Sequence, residues 1–155
     1  MLFPKERRKR TPQDRGDCVG FTGTQHGMTA AQKAGVRRRL IRLRTSSLFR
    51  HGDCVEADEN AHDLALQLGY TVIVHPPTDD SRRAFVKGYA QMLPPRPYLH
   101  RNRDIVDASD ALIAAPHTSH EVLRSGTWST VRYARKLGLT VYLVLPDGSE
   151  EVLQD

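Results

Sequence analysis

Five short apolar runs alternate with polar-faced stretches of helical length along most of this chain, and that alternation constrains its fold more than any other feature. The runs are CVGFTG at 18–23, SSLFR at 46–50, TVIVH at 71–75, DALIAAP at 110–116 and TVYLVLP at 140–146. Strands alternating with helices build βαβ units, and these give a parallel sheet covered by helices on both faces. The continuous β-branched run TVIVH fits a strand buried on both sides. The expected class is α/β: three layers, with a five-strand, mostly parallel sheet between helices. A 155-residue chain has enough length for one such core.

The helices carry their own punctuation. Thr29 and Gln32 make the capping-box pattern before a helix whose Val36, Leu40 and Leu43 share a face. Asp53, with Glu56 three residues on, is the candidate cap of a second helix that Gly69 stops. A third runs through YLHRNRDIVDAS, and a fourth through RSGTWSTVRYARKLG, from Arg124 to Gly138. Pro76 to Pro97 shows no clear period. Long irregular segments inside compact domains are usually functional or mobile. The expected organisation is a basic, disordered arm at 1–16, one domain at 17–147 and a tail at 148–155.

Right-handed crossovers send every strand-to-helix loop to one edge of a parallel sheet, where ligands bind if the strand order reverses. Two of these loops suit an anion. Gly23, Thr24 and Gly27 precede the first helix; Ser125, Gly126 and Thr127 open the fourth. Glycine admits a close anion, and free N–H groups with the helix dipole favour negative charge. The spacing is not G-x-G-x-x-G, so the dinucleotide fingerprint is missing. Arg101 and Asn102, near the start of the third helix, add a guanidinium suited to phosphate or carboxylate.

Histidines 26, 51, 75, 117 and 120 fall in the same loops, with Asp53 and Cys54. No ligand pair has metal-site spacing on a helix or strand, so no metal is expected. Cys54 reads as a packing residue. Two cysteines make no disulfide framework and no run is long enough to cross a membrane, so the expected setting is the cytoplasm. The net charge is +5, of which the first ten residues carry +4, so the body is nearly neutral. Nucleic-acid contact is then expected of the arm, or of the first helix through RRRLIRLR, more than of the body.

Together GFTGTQHGMT, HGDCVEAD, YLHRNRDIVDASDALIAAP and SGTWSTVRYARKLG resemble the SLOG superfamily over roughly residues 18–146. These Rossmann-like domains include LOG-type phosphoribohydrolases, molybdenum-cofactor carriers and the DNA-processing protein DprA, and the resemblance is strongest to small bacterial or phage members. It implies a nucleotide-like ligand (AMP, ADP-ribose or NAD type) at the carboxyl edge, no firm cofactor, and a homodimer or higher oligomer. Arg101, eight residues before Ser109-Asp110, matches the LOG functional arginine, with Asn102 in place of a lysine. Gly126-Thr127 match the Gly-Thr of the LOG motif, and Thr130 stands where that motif has its catalytic glutamate. Hydrolysis would therefore need Arg101 with a replacement carboxylate from a loop, Glu121 or Asp53. The part of HGDCVEADENAH similar to DprA adds a nucleic-acid-binding alternative.

Overall fold

The computed structural model describes residues 18–43 and 48–154. The expected arm at 1–16 lies outside them, as do Ser46 and Ser47 of the second expected strand. The described residues form β1 (Cys18–Gly23), α1 (Ala30–Arg42), β2 (Leu48–His51), α2 (Ala57–Gln67), β3 (Thr71–Val74), β4 (Gln91–Met92), α3 (Tyr98–Asp107), β5 (Ala111–Ala115), α4 (Gly126–Lys136), β6 (Thr140–Val144) and β7 (Glu150–Leu153). One sheet holds all seven strands in the order β4-β3-β2-β1-β5-β6-β7. Every neighbouring pair is parallel except β6 and β7. The fold is α/β and Rossmann-like.

The two faces differ in what covers them. Val36 and Leu40 of α1 and Ala57, Ala61 and Ala65 of α2 pack with Phe21, Phe49, Val72 and Val74 in one core. Trp128, Val131 and Ala134 of α4 and Val106 of α3 pack on Leu112, Ala114, Val141 and Leu143 in the other. Alternate residues of β5 thus enter opposite cores, which is why the whole strand is buried and reads as continuous apolar sequence. Each fully buried Phe or Leu contributes roughly 1.5–3 kcal/mol.

Two strands exceed the five expected. Residues 148–155, read as a tail, contain β7, which returns antiparallel along β6 with Tyr142 opposite Val152. The turn between them runs from Leu145 to Gly148, closed by the Gly148 N–H donating to the Leu145 carbonyl: Gly148 has φ +85°, and the Asp147 carboxylate accepts from the Ser149 N–H and hydroxyl. Asp-Gly is a strong hairpin signal. The glutamates of β7 suit an exposed edge, and Glu150 pairs with Arg39 of α1. The other addition, β4, is two residues of the irregular segment aligned on Ile73 and Val74. A strand so short has no period of its own and takes its conformation from β3.

The caps separate into two kinds. Thr29 and Gln32 form the full capping box, and the Gln32 amide also donates to the Pro116 and Val144 carbonyls. The first turn of α1 is therefore closed by its own chain. Asp53 does not cap α2. That helix starts at Ala57 after Glu56, whose φ of 75° and lack of a side-chain cap bond mark a strained entry.

Candidate functional site

The strand order reverses at β1 and β5, and a cavity of about 430 Å³ opens at their carboxyl ends. Phe21 to His26 of β1 and its loop form one part of its wall; His117, Thr118, Val122 and Arg124 to Thr127 after β5 form another. The turn after β2 contributes Gly52, Cys54 and Val55, and α2 contributes Asp58. Tyr98, Arg101, Asn102 and Ile105 of α3 complete it.

The two expected anion seats differ. At α4, Ser125 caps the helix by accepting from the Trp128 N–H at 3.3 Å. A β-carbon added at Gly126 would meet nothing within 4 Å, and Gly126 and Thr127 lie on the wall. This helix start therefore faces open space, and its Gly126 and Thr127 amides have no intrahelical acceptor. At α1 the capping box has taken the helix end. Gly23 and Thr24 reach the wall, but Gly27 does not; it is a turn residue at φ +88° packed beside Glu56. The Thr24 hydroxyl accepts from the His26 N–H at 3.0 Å, and the His26 and His117 rings lie 4.3 Å apart on the wall. Among the described residues no three ligating side chains converge on a metal position.

Arg101 sits one turn into α3 and is 4% exposed. One terminal nitrogen, Nη1, donates to the carbonyls of Gly52 and of His75, the latter at 3.2 Å; Nη2 reaches the Cys54 sulfur at 3.6 Å. It makes no ion pair with any described residue, and its Nε has no partner. A buried guanidinium is costly without negative charge nearby; Asp58 lies within its electrostatic range without direct ion-pair contact, which leaves room for a further oxyanion. Burial pushes the Cys54 thiol pKa up, so the cysteine stands as a neutral wall residue.

Neither carboxylate proposed for catalysis from the sequence lies on the wall. Asp53 is fully buried at φ 57°: one oxygen accepts from Arg83 Nε at 2.9 Å and the other from the Val86 N–H at 3.0 Å. It pins the irregular segment to the end of β2. Asp53→Ala should therefore cost roughly 3–5 kcal/mol by removing the buried partner of Arg83, which keeps only the exposed Asp80, and of the Val86 N–H; a melting curve would read this as destabilisation. Glu121 is exposed and pairs with Arg132 at 3.2 Å. Thr130 lies outside the cavity, with its hydroxyl donating to the Gly126 carbonyl.

The carboxyl on the wall is Asp58, which sequence reasoning missed. It is 7% exposed, and its Oδ2 accepts from the Cys54 N–H at 3.1 Å. Burial pushes its pKa up to about 6, against the lowering effect of Arg101. The signal was an acidic residue in the first turn of a helix starting at this edge; Asp53 drew attention from it by resembling a cap.

Below the cavity, hydrogen bonds fix the histidine tautomers. The Asp53 N–H donates to His51 Nδ1 at 3.0 Å, so His51 Nε2–H donates to His62 Nδ1 and His62 Nε2–H to the Lys87 carbonyl. His75 Nε2 accepts from Arg50 at 3.0 Å. Burial, then neighbouring positive charge, holds His51 well below the usual range and His75 at about 3.

No protein-family model and no curated protein matches the sequence significantly. Solved structures do match in fold. A molybdenum cofactor binding protein from Rippkaea orientalis aligns at TM-score 0.63 and 22% identity, over 84% of this chain and 77% of that one. The molybdenum cofactor carrier protein from Chlamydomonas reinhardtii aligns at 0.61 and 19%, over 83% and 76%. DNA processing protein A from Helicobacter pylori, described with a single-stranded DNA binding mode, aligns at 0.54 and 20%, over 84% and 66%. With its strand order, its helices on both faces and its cavity at the reversal of order, the chain shares the Rossmann-like fold of these proteins.

Proposed function

We propose that this protein binds a nucleotide or nucleotide-derived ligand in the cavity between β1 and β5, with phosphate on the start of α4. The observation that carries this reading is the open helix start at Gly126, on the same wall as the unpaired, buried Arg101. Amides and guanidinium together offer fixed donors and positive charge to an oxyanion. Gly23, Thr24, Asn102, Ser125 and Thr127 would line the ligand. Relatives in fold are named for binding molybdenum cofactor or single-stranded DNA, and both ligands carry phosphate.

Calorimetry against AMP, ADP-ribose and NAD tests the reading; no heat at millimolar ligand would overturn it. Gly126→Ala sharpens the test. The added methyl meets no protein atom but enters the space assigned to phosphate. Alanine is also the better helix former, by up to about 1 kcal/mol. The variant is expected to melt at or above the wild-type temperature while binding the nucleotide at least tenfold more weakly.

Hydrolysis of the ligand has less support, because Asp53, Glu121 and Thr130 all lie off the cavity wall. Nucleic-acid binding by the body is also weaker as a reading. In the arginine run of α1, Arg39 pairs with Glu150 and Arg38 donates to the Gly148 carbonyl. The basic arm is left as the route to nucleic acid, and a homodimer or higher oligomer remains part of the proposal, to be read by light scattering.

A further inference from the structure

The cavity is chemically lopsided. At the β5 side it presents donors: the α4 amides, the exposed Arg124 and the hydroxyl of Thr127. At the β2 side it presents Asp58, the single carboxyl among the residues of its wall, with the Arg101 guanidinium bonded to Gly52 and Cys54 of the same turn. Asp58 is held there by close packing. The start of α2 abuts the end of β1 so tightly that a β-carbon on Gly23 would come within 2.6 Å of the Ala57 methyl.

The known bonds of this carboxyl come from backbone on one side. Oδ2 accepts from the Cys54 N–H, and Gly52 supplies a second backbone bond. A carboxylate has about four acceptor positions. The rest are left for donors that arrive in the cavity. A ligand that fits both ends is an anion at one and a hydroxyl or amine donor at the other. The ends of β2 and β5 flank β1, so they are two strand spacings apart, roughly 10 Å. A sugar phosphate with a hydrogen bond at each end is of that length. Asp58 follows β2 by way of the 52–56 turn.

We infer that Asp58 recognises the ribose hydroxyls of the bound nucleotide, so that the cavity selects ribonucleotides over deoxyribonucleotides. Asp58 is on this view a specificity residue, and the inference rests on the nucleotide reading above. A hydrogen bond to a charged acceptor, once lost, leaves the acceptor unpaired and weakens binding about 10- to 100-fold.

The test is calorimetric titration of the full chain with AMP, 2′-deoxy-AMP, 3′-deoxy-AMP and IMP. Wild type should prefer AMP to at least one deoxynucleotide by tenfold or more and treat IMP like AMP. Asp58→Ala should bring that preference to within twofold. Asp58→Asn keeps an acceptor for the Cys54 N–H, and its preference should shrink as well. Because loop damage weakens all four ligands alike, the ratio reports on hydroxyl recognition alone. Equal binding of AMP and both deoxynucleotides by wild type would overturn the inference and leave the nucleotide reading intact. So would a preference that survives in Asp58→Ala, or a loss confined to IMP, which would assign Asp58 to the base. Failure of every nucleotide to bind would overturn the nucleotide reading itself.

Discussion

Gly52→Ala is expected to lower stability by roughly 2–4 kcal/mol and to weaken nucleotide binding at least tenfold, although it adds one methyl. A β-carbon at Gly52 would overlap the Arg101 guanidinium, whose Nη1 donates to the Gly52 carbonyl. Backbone at that point belongs to the turn that forms the cavity, so the arginine must yield. Moving it removes the donor from two carbonyls, those of Gly52 and His75. It also displaces a charged group of the cavity wall. Thermal melting should record a fall of roughly 5–15 °C. A double-mutant cycle isolates the cause: in an Arg101→Ala background the glycine change should cost little more, because the group it displaces is gone. A full additional penalty there would mean that the turn itself, and not its arginine, rejects the methyl. Gly126→Ala is the contrasting case, with the same chemical change made where no atom stands in the way.

Acid should destabilise the fold, starting just below pH 6.5. His51 and His75 are buried neutral, with folded pKa values below the unfolded one near 6.5. The unfolded chain therefore takes up protons that the folded chain refuses. Stability is complete above pH 6.5 and falls as the pH drops towards the folded values, about 3 for His75 and well below the usual range for His51. Each refused proton costs about 1.4 kcal/mol per pH unit. Asp58 works in the other direction. Its folded pKa of about 6 exceeds the unfolded value, so between about pH 6 and 4 it returns about 1.4 kcal/mol per unit. The balance is a loss of roughly 3 kcal/mol between pH 7 and 4.5. Urea denaturation at several pH values measures it. A stability that stays flat over this range would contradict a buried neutral His51 and His75.

The parts of the structure that were legible in the sequence share a property: their signal is local. The capping box at Thr29 and Gln32 and the Ser125 cap need only a few neighbouring residues, and both occur as read. The apolar runs of β1, β3, β5 and β6 are buried on both faces and need no partner to be recognised. By contrast, β4 is two residues that pair because β3 is beside them, and β7 is mostly exposed with glutamates along it. Strands of that kind are defined by what they bond to.

The site divides along the same line. Alternation and the handedness of crossovers put the loops after β1, β2 and β5 at one edge. Seven of the residues named from the sequence, Gly23, Thr24, Arg101, Asn102, Ser125, Gly126 and Thr127, line the cavity there. What the sequence could not separate were two aspartates five positions apart. Asp53 looks like a cap and is a buried clamp on Arg83; Asp58 looks like an ordinary helix residue and stands on the cavity wall.

By itself the sequence determined the class of fold, the edge at which the strand-to-helix loops gather and the two helix starts that stand there, because each follows from periodicity, capping and chirality within short stretches. Only the tertiary structure decided which of two helix starts stays open, which carboxyl faces the cavity and that Arg101 is buried without a paired charge. Those outcomes depend on distances between segments far apart in the chain, and such distances are set by how the two cores pack.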